Sequence, residues 1–323
     1  MTPLQKQQLL DSLVIPVIGA PMFIVSTPAL VIAQCRAGIV GSFPALNARP
    51  AERLDEWLTE IDTALAEARQ ADPKARIAPY AVNQIVHASN TRLEHDLEAC
   101  VKHRTPIIIT SLRAPDDVVG HVHGYGGYVF HDVISVRHAE RALEAGVDGL
   151  ILVCAGAGGH AGTLSPFALL PEVRRFFDGP IILSGAIANG SSILAAQAAG
   201  ADFAYMGTRF IATQEANADE RYKQMIVESR ANDIVYTASF TGVNGNYLKK
   251  SIVHAGLDPD NLPDNGKNVM NFSSGGISDA KAWRDIWGAG QGVGQIDDLP
   301  STAELVARLT REYRAARERL RAA

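Results

Sequence analysis

His160 is the one titratable ring in a loop of small residues, VCAGAGGHAGT, which runs from Val153 to Thr163. Imidazole has a reference pKa of about 6.5 and is the side chain best matched to proton transfer near neutral pH. A loop histidine that only hydrogen-bonds the backbone is the structural alternative. Because small neighbours clear space around the ring, we predict that His160 acts as an acid–base group.

Two other groups of small residues follow apolar runs in the second half of the chain, in LSGAIANGSS and YMGTRF. Each of these stretches places small residues where a predicted strand ends, and a helix is predicted to begin near residues 189–191. Backbone N–H groups at such positions suit an anion, and glycine permits its close approach. We predict that a phosphate binds here, whereas tight turns without a ligand are the alternative. The residues are Ser184, Gly185, Ala186, Met206, Gly207 and Thr208.

Several mechanisms lack the residues that they need. All eight lysines lie outside the predicted strands, which argues against a Schiff-base aldolase. No set of Asp, Glu or His gathers at the predicted strand ends, so we expect no metal site; His121 and His123 fall on a predicted surface helix. Cys154 is expected to be a core residue. A phosphate site with one histidine indicates that an organic cofactor supplies the chemistry.

The elements that must position these residues alternate between short apolar runs and helical patterns. Eight strand-like runs occur in roughly 200 residues, and they are continuously apolar, as parallel strands covered on both faces are. This pattern favours a (β/α)8 TIM barrel over a doubly wound open sheet. Barrel active sites lie at the carboxyl ends of the strands, where the sequence also places Pro21, Met22, Asn83 and Asp132.

After residue 214 the composition changes to one rich in Gly, Asn, Asp and Pro. We predict a barrel formed by residues 1–214 and a C-terminal helix, 301–323, with a smaller, mostly helical substrate or lid domain at 215–300. Lys249 and Lys250 could attract an anionic substrate, although paired surface lysines are usually only solvated. Five aromatic residues are candidates to shape a lid, with ordinary packing as the alternative: Tyr236, Phe240, Tyr247, Trp283 and Trp287.

Composition narrows the class of protein further. The formal charge is −5 and no block of basic residues resembles a nucleic-acid-binding arm. No apolar run approaches the about 20 residues of a membrane span, and the N-terminus does not resemble a signal peptide. Three isolated cysteines indicate a reducing compartment. We expect a soluble, cytoplasmic protein that binds neither nucleic acid nor membranes.

Taken together, these motifs resemble the nitronate monooxygenases, formerly called 2-nitropropane dioxygenases. The resemblance covers nearly the whole chain, and GGHAG joined to MGTRF is its most specific part; GAPM, VNQI, LSGAIANG and WGAGQGVGQIDD add to it. It implies a TIM barrel that binds FMN non-covalently and oxidises alkyl nitronates with O2. It also implies that the GAGQG stretch, Gly288–Gly292, approaches the flavin or the substrate.

The resemblance assigns roles to individual residues. His160 would be the catalytic base that removes the α-proton of a nitroalkane; the nitronate then passes an electron to FMN, and O2 completes the oxidation to a carbonyl compound and nitrite. Gly158 and Gly159 would lie by the flavin ring, together with Pro21, Met22 and Asn83. The ribityl phosphate would be held by Ser184, Gly185, Ala186, Met206, Gly207 and Thr208.

Asp132 departs from the family pattern, because some relatives carry a lysine there that could reach the flavin. An acid would not stabilise an anionic reduced flavin in the same way; it could instead bond a ribityl hydroxyl, or be merely solvated. An FMN-dependent NAD(P)H reductase of quinones or enoyl thioesters is the alternative function on the same fold, and a non-catalytic phosphate-binding barrel is another. The expected partners are a small nitronate or nitroalkane and O2, with a homodimer as a possible assembly.

Overall fold

A computed structural model describes residues 1–262 and 286–322 of the chain. Eight parallel strands form one sheet. A parallel bridge between Ile18 and Val40 joins the two end strands and closes the barrel. The TIM barrel predicted from the alternating pattern is therefore confirmed. The strands are β1 Val17–Gly19, β2 Gly41–Pro44, β3 Tyr80–Val86, β4 Ile107–Leu112, β5 Tyr128–Val133, β6 Gly149–Val153, β8 Ile181–Ser184 and β9 Phe203–Met206. They neighbour one another in the order β1-β9-β8-β6-β5-β4-β3-β2, whereas β7, Gly159–His160, belongs to a second, smaller sheet.

Helices cover the outside of the barrel and continue into the C-terminal part of the chain. In the described residues they are α1 Pro3–Asp11, α2 Pro28–Arg36, α3 Arg53–Ala71, α4 Leu93–Lys102, α5 Asp116–Gly124, α6 Val136–Glu144, α7 Pro166–Arg174, α8 Gly190–Ala198, α9 Thr208–Ile211, α10 Glu220–Val227, α11 Lys249–His254 and α12 Thr302–Ala322. Short 3-10 turns lie at Ala45–Asn47, Ala231–Asp233 and Gln291–Gln295. No helix in these ranges combines the length and apolar character needed to cross a bilayer.

Alternate residues of each barrel strand face two different cores. Ile109, Phe130 and Ile151 belong to the cluster inside the barrel, whereas Ile108 and Val129 pack with the surrounding helices. Both faces are apolar because both are buried, which explains the continuous apolar runs in the sequence. The same alternation decides which polar side chains near the strand ends point into the barrel.

The region after the barrel contains a small antiparallel sheet. Strands β10, Ile234–Thr237, and β11, Gly245–Leu248, form a hairpin, and β11 also pairs with β7, Gly159–His160. In its described part, this region therefore contains a sheet as well as the helices α10 and α11, where we expected mostly helices. Trp283 lies outside the described residues.

The C-terminal helix α12 returns to the barrel. Leu305, Val306 and Leu309 pack in one cluster with Ile193 of α8, and the Tyr313 hydroxyl donates a hydrogen bond to the Gln197 side chain. This packing places α12 beside α8, so that Glu312 of α12 reaches the start of α8.

Candidate active site

The residues predicted to bind the cofactor gather at the carboxyl ends of the barrel strands. Asn83 and Asp132 lie on β3 and β5, Ser184 and Met206 end β8 and β9, and the remaining residues follow β1, β6, β8 or β9. The strands beneath are buried, whereas Pro21, Met22, Gly185, Ala186, Gly207 and Thr208 each keep part of their surface accessible. These residues therefore line an accessible rim at one end of the barrel, where barrel active sites lie.

The His160 loop is held by the hairpin of the second region. His160 pairs with Gly245 and Gly159 with Asn246, both on β11. The Asn246 side chain also donates a hydrogen bond to the Ala157 carbonyl, at 2.6 Å. Because the loop leaves β6 and becomes a strand of the small sheet, the position of His160 depends on both parts of the chain.

The imidazole of His160 is half-buried and lies next to a hydroxyl. Its Nε2 atom is 3.0 Å from Oγ1 of Thr241, and this Oγ1 is also 3.0 Å from the Val243 carbonyl oxygen. Burial lowers the pKa of His160 to about 4. The ring is therefore neutral near pH 7 and able to accept a proton. Thr241 was not identified from the sequence, since nothing in its local motif connects it to His160.

A hydrogen-bonded chain crosses three neighbouring strands inside the barrel mouth. Nδ2 of Asn83 donates to Oγ of Ser111 at 2.8 Å, and Ser111 donates to Oδ2 of Asp132 at 2.6 Å. Sequence reasoning missed Ser111, because a single serine on a strand carries no motif. These hydrogen bonds fix two of the predicted site residues, Asn83 and Asp132, relative to each other.

Asp132 has one carboxylate oxygen without a partner among the residues that the structure describes. Its Oδ1 is buried and accepts no hydrogen bond from them, and the buried Tyr205 hydroxyl likewise has no partner in this part of the chain. Burial raises the pKa of Asp132 to about 6, although the bond from Ser111 opposes this shift. Burial, with a contribution from the charge of Asp132, raises the pKa of Tyr205. An unpaired buried oxygen is costly, so a ligand hydroxyl that satisfied Oδ1 would be favoured here.

The glycines of the His160 loop lie against the segment Gly288–Gly292. Gln291 N donates to the Gly156 carbonyl, and Gly290 N donates to Thr208 Oγ1, each at 2.8 Å. A Cβ atom added to Gly158 would lie only 2.9 Å from Gly290 N, whereas one added to Gly159 would meet no atom of the described residues within 4 Å. Gly158 is therefore required by protein packing, and Gly159 is not restricted by packing against the described part of the chain.

The loop after β8 has an unusual backbone. Gly185 has a φ of +138°, and Ala186 has a φ of +54°. The Cβ of a residue at position 185 would also lie 2.8 Å from the Ala155 carbonyl oxygen, so only glycine fits. The left-handed conformation of an alanine costs free energy, and such strained residues cluster at functional sites.

Two backbone N–H groups at the start of α8 already have partners within the protein, which narrows our expectation for residues 189–191. Gly190 N donates to Oε2 of Glu312 on α12, and Ser192 N donates to the Asn189 side chain, each at 2.8 Å. A carboxylate of the protein thus already occupies this helix N-terminus. A phosphate between β8 and β9 must therefore rely on the loops at 184–186 and 206–208.

The predicted lid aromatics differ in their environments. Phe240 packs edge-on against Tyr247, with 5.0 Å between ring centres, and Trp287 stacks on Tyr222 at 4.9 Å. Phe240, Tyr247 and Trp287 are buried in the packing of the second region. Tyr236 instead donates a hydrogen bond to the Ala161 carbonyl at 3.0 Å, directly after His160. The side chain of Tyr236 therefore supports the His160 loop directly.

Other candidate groups have structural partners. Lys249 pairs with Asp260 and Lys250 with Glu228. Cys154 is buried, and burial raises the pKa of its thiol to about 12, as expected for a core residue. Within residues 1–262 and 286–322, no group of three or more His, Cys, Asp or Glu side chains is placed to hold a metal ion.

Comparison with known proteins identifies a family and finds the same fold. A family model described as "Nitronate monooxygenase" matches residues 6–312. A nitronate monooxygenase of Paraburkholderia phytofirmans is 29% identical, over 95% of this chain and 94% of its own. Structures of a nitroalkane oxidase from Streptomyces ansochromogenes and of FabK from Thermotoga maritima each superpose with a TM-score of 0.76 at 23% identity. The former covers 97% of this chain and 99% of its own, and the latter covers 98% of both.

Proposed function

The chain belongs to the nitronate monooxygenase family and is a flavin-dependent oxidoreductase, and from this premise we propose that it binds FMN and oxidises alkyl nitronates with O2. The products are a carbonyl compound and nitrite, and neutral nitroalkanes are substrates once His160 has removed their α-proton. The observation that carries the proposal is the neutral, half-buried imidazole of His160 at the barrel mouth, held beside Thr241.

The residues at the barrel mouth fit FMN. In the loops at 184–186 and 206–208, the small residues Gly185, Ala186, Gly207 and Thr208 are partly accessible and suit a phosphate, because backbone N–H groups can approach it without interference from large side chains. The unpaired Oδ1 of Asp132 suits a ribityl hydroxyl. Pro21, Met22, Asn83, Gly158 and Gly159 complete the proposed set around the ring. When bound, FMN supplies the electron acceptor and the reactivity toward O2.

His160 performs the proton transfer in this proposal. The ring nitrogen accepts the proton from the α-carbon of the nitroalkane, and the electron pair of that C–H bond remains on the nitronate. Burial disfavours an isolated imidazolium, but the nitronate formed beside it carries the opposite charge and stabilises it. Thr241 orients the ring, and the surrounding glycines leave room for a small substrate.

Anaerobic mixing experiments test the proposal. The purified protein is mixed separately with a preformed alkyl nitronate and with NADH, while the flavin spectrum is recorded. We expect the nitronate to bleach the flavin and NADH to leave it oxidised. Reduction by NADH alone would instead identify an NAD(P)H reductase of quinones or enoyl thioesters, the alternative that this fold also accommodates.

A further inference from the structure

A cavity lies at the same end of the barrel as the candidate active site, but outside the barrel. It has a volume of about 460 Å³ and is lined by residues that follow β4, by β5 and by α6. Ligand cavities in proteins have volumes of about 300–1,000 Å³, so this one is large enough for part of a small molecule. None of the residues assigned above to FMN or to proton transfer lines it.

Positively charged side chains dominate this cavity. Arg113, Arg137 and Arg141 line it, together with a single carboxylate, that of Asp116. Arg141 forms an ion pair with Glu144. The guanidinium groups of Arg113 and Arg137 make no ion pair or hydrogen bond with the part of the chain that the structure describes. On a protein with a formal charge of −5, such a cluster indicates an anionic ligand.

One residue that lines the cavity is a buried polar side chain held by a hydrogen bond. His131 is 3% exposed, and its Nδ1 atom is 2.8 Å from Thr110 Oγ1. His138, in the first turn of α6, also lines the cavity. The positive end of the α6 dipole therefore adds to the charge of the arginines at this point.

The position of the cavity relates it to the barrel mouth. Thr110 and His131 point outward from β4 and β5, whereas the next residues, Ser111 and Asp132, form their hydrogen bond inside the barrel. The cavity and the candidate active site thus lie on opposite faces of the same two strand ends. A ligand bound by one end in the cavity would lie at the rim of the catalytic face.

We propose that this cavity binds the phosphate group of a phosphorylated nucleoside ligand, such as an acyl-coenzyme A or NADPH. Arginine is the side chain best suited to phosphate, because its planar fork can donate two parallel hydrogen bonds to the phosphate oxygens. Simple alkyl nitronates contain no phosphate, so the cavity points to a larger second substrate or reductant. The inference rests on these side chains and not on the proposed nitronate chemistry.

Binding measurements on the flavin-loaded protein test this proposal independently of activity. Calorimetry would compare coenzyme A with dephospho-coenzyme A, and NADPH with NADH, for the wild type and for the double variant Arg113→Gln/Arg137→Gln. We expect at least one of coenzyme A and NADPH to bind, and the double variant to weaken that binding by about tenfold or more, since hydrogen bonds to charged groups contribute strongly. The dephosphorylated and non-phosphorylated partners identify which phosphate is bound.

The control is Arg317→Gln, because Arg317 is an exposed arginine on α12, far along the chain from the cavity. Its binding constants should match those of the wild type. Arg113 and Arg137 are both exposed, so their replacement should leave the melting temperature and flavin content unchanged. The proposal is overturned if neither coenzyme A nor NADPH binds, or if the double variant weakens their binding by less than about tenfold.

Discussion

The Nε2 atom of His160 lies 3.0 Å from Oγ1 of Thr241, although 81 residues separate them in the chain. Burial raises the pKa of Tyr247, and the side chain of Thr241 opposes this rise. The proposed base is therefore positioned by the second region, while the residues proposed to hold the cofactor belong to the barrel. The site is complete only when the two regions are packed together.

Replacing Thr241 tests whether this contact positions the base. Thr241→Val keeps the shape of the side chain but removes the hydroxyl, and we expect kcat/KM with a neutral nitroalkane to fall about tenfold, the size of one hydrogen bond. Thr241→Ser retains the hydroxyl and should retain most of the activity. Steady-state kinetics measure both variants. Equal losses in the two would show that packing, and not the hydrogen bond, is what matters at this position.

His160 itself is tested by comparing two substrates. His160→Asn should lower kcat/KM with a neutral nitroalkane by about 100-fold or more, because general-base catalysis commonly contributes this much. With a preformed nitronate, which has no α-proton to lose, the same variant should lose far less. Oxygen consumption and nitrite release provide the two measurements. Similar losses with both substrates would contradict the assignment of His160 as the proton acceptor.

The sequence pattern was sufficient for the barrel and for the positions of the strand ends. Continuous apolar runs identify parallel strands, and in a barrel all their carboxyl ends meet at one face, so Asn83, Asp132 and Gly207 could be placed there without coordinates. What remained hidden depends on contacts between distant residues. Thr241 and Ser111 contribute single hydroxyls, and such residues have no recognisable spacing relative to His160 or Asp132.

At the start of α8, by contrast, the sequence suggested a site for a bound anion, but a side chain of the protein lies there. Its sequence, ANGSS, has the features of an anion-binding helix start, but Glu312 reaches Gly190 from a helix 122 residues further along the chain. Local chemistry indicated correctly that this helix start favours a negative charge. Only the packing of α12 against α8 shows that the protein supplies that charge itself.

The depressed pKa of His160 predicts an unusual pH profile. Because burial lowers this pKa from 6.5 to about 4, the neutral base persists well below the pH at which an exposed histidine becomes protonated. We expect kcat/KM with a neutral nitroalkane to be nearly constant from pH 7 down to about 5 and to fall only as the pH approaches about 4. A pH–rate profile measures this. A decline centred on pH 6.5 would mean that the ring is well solvated in the working enzyme.

Asp132 should influence the reduction potential of the bound flavin. Its pKa of about 6 makes the carboxylate mostly negative at pH 7, and a negative charge opposes the uptake of electrons nearby. Asp132→Asn should therefore raise the flavin potential, which a spectroelectrochemical titration measures. Asp116→Asn is the matched control, because Asp116 lines the arginine-rich cavity outside the barrel. An unchanged potential in Asp132→Asn would place the carboxylate away from the flavin.

Gly207 tests where the phosphate binds. A Cβ atom at this position would lie 3.4 Å from Cβ of Ala20 and 3.6 Å from Sδ of Met22, so the protein itself tolerates a small side chain there. Gly207→Asp adds a negative charge beside the proposed phosphate and should lower the FMN content of the purified protein by about tenfold or more. Gly120→Asp adds the same charge on the exposed face of α5, where no atom of the described residues lies within 4 Å of the new Cβ, and should leave FMN bound. Flavin absorbance per protein measures both variants, and the melting temperature checks that both remain folded. Full flavin content in a folded Gly207→Asp protein would show that the phosphate lies elsewhere on the barrel rim.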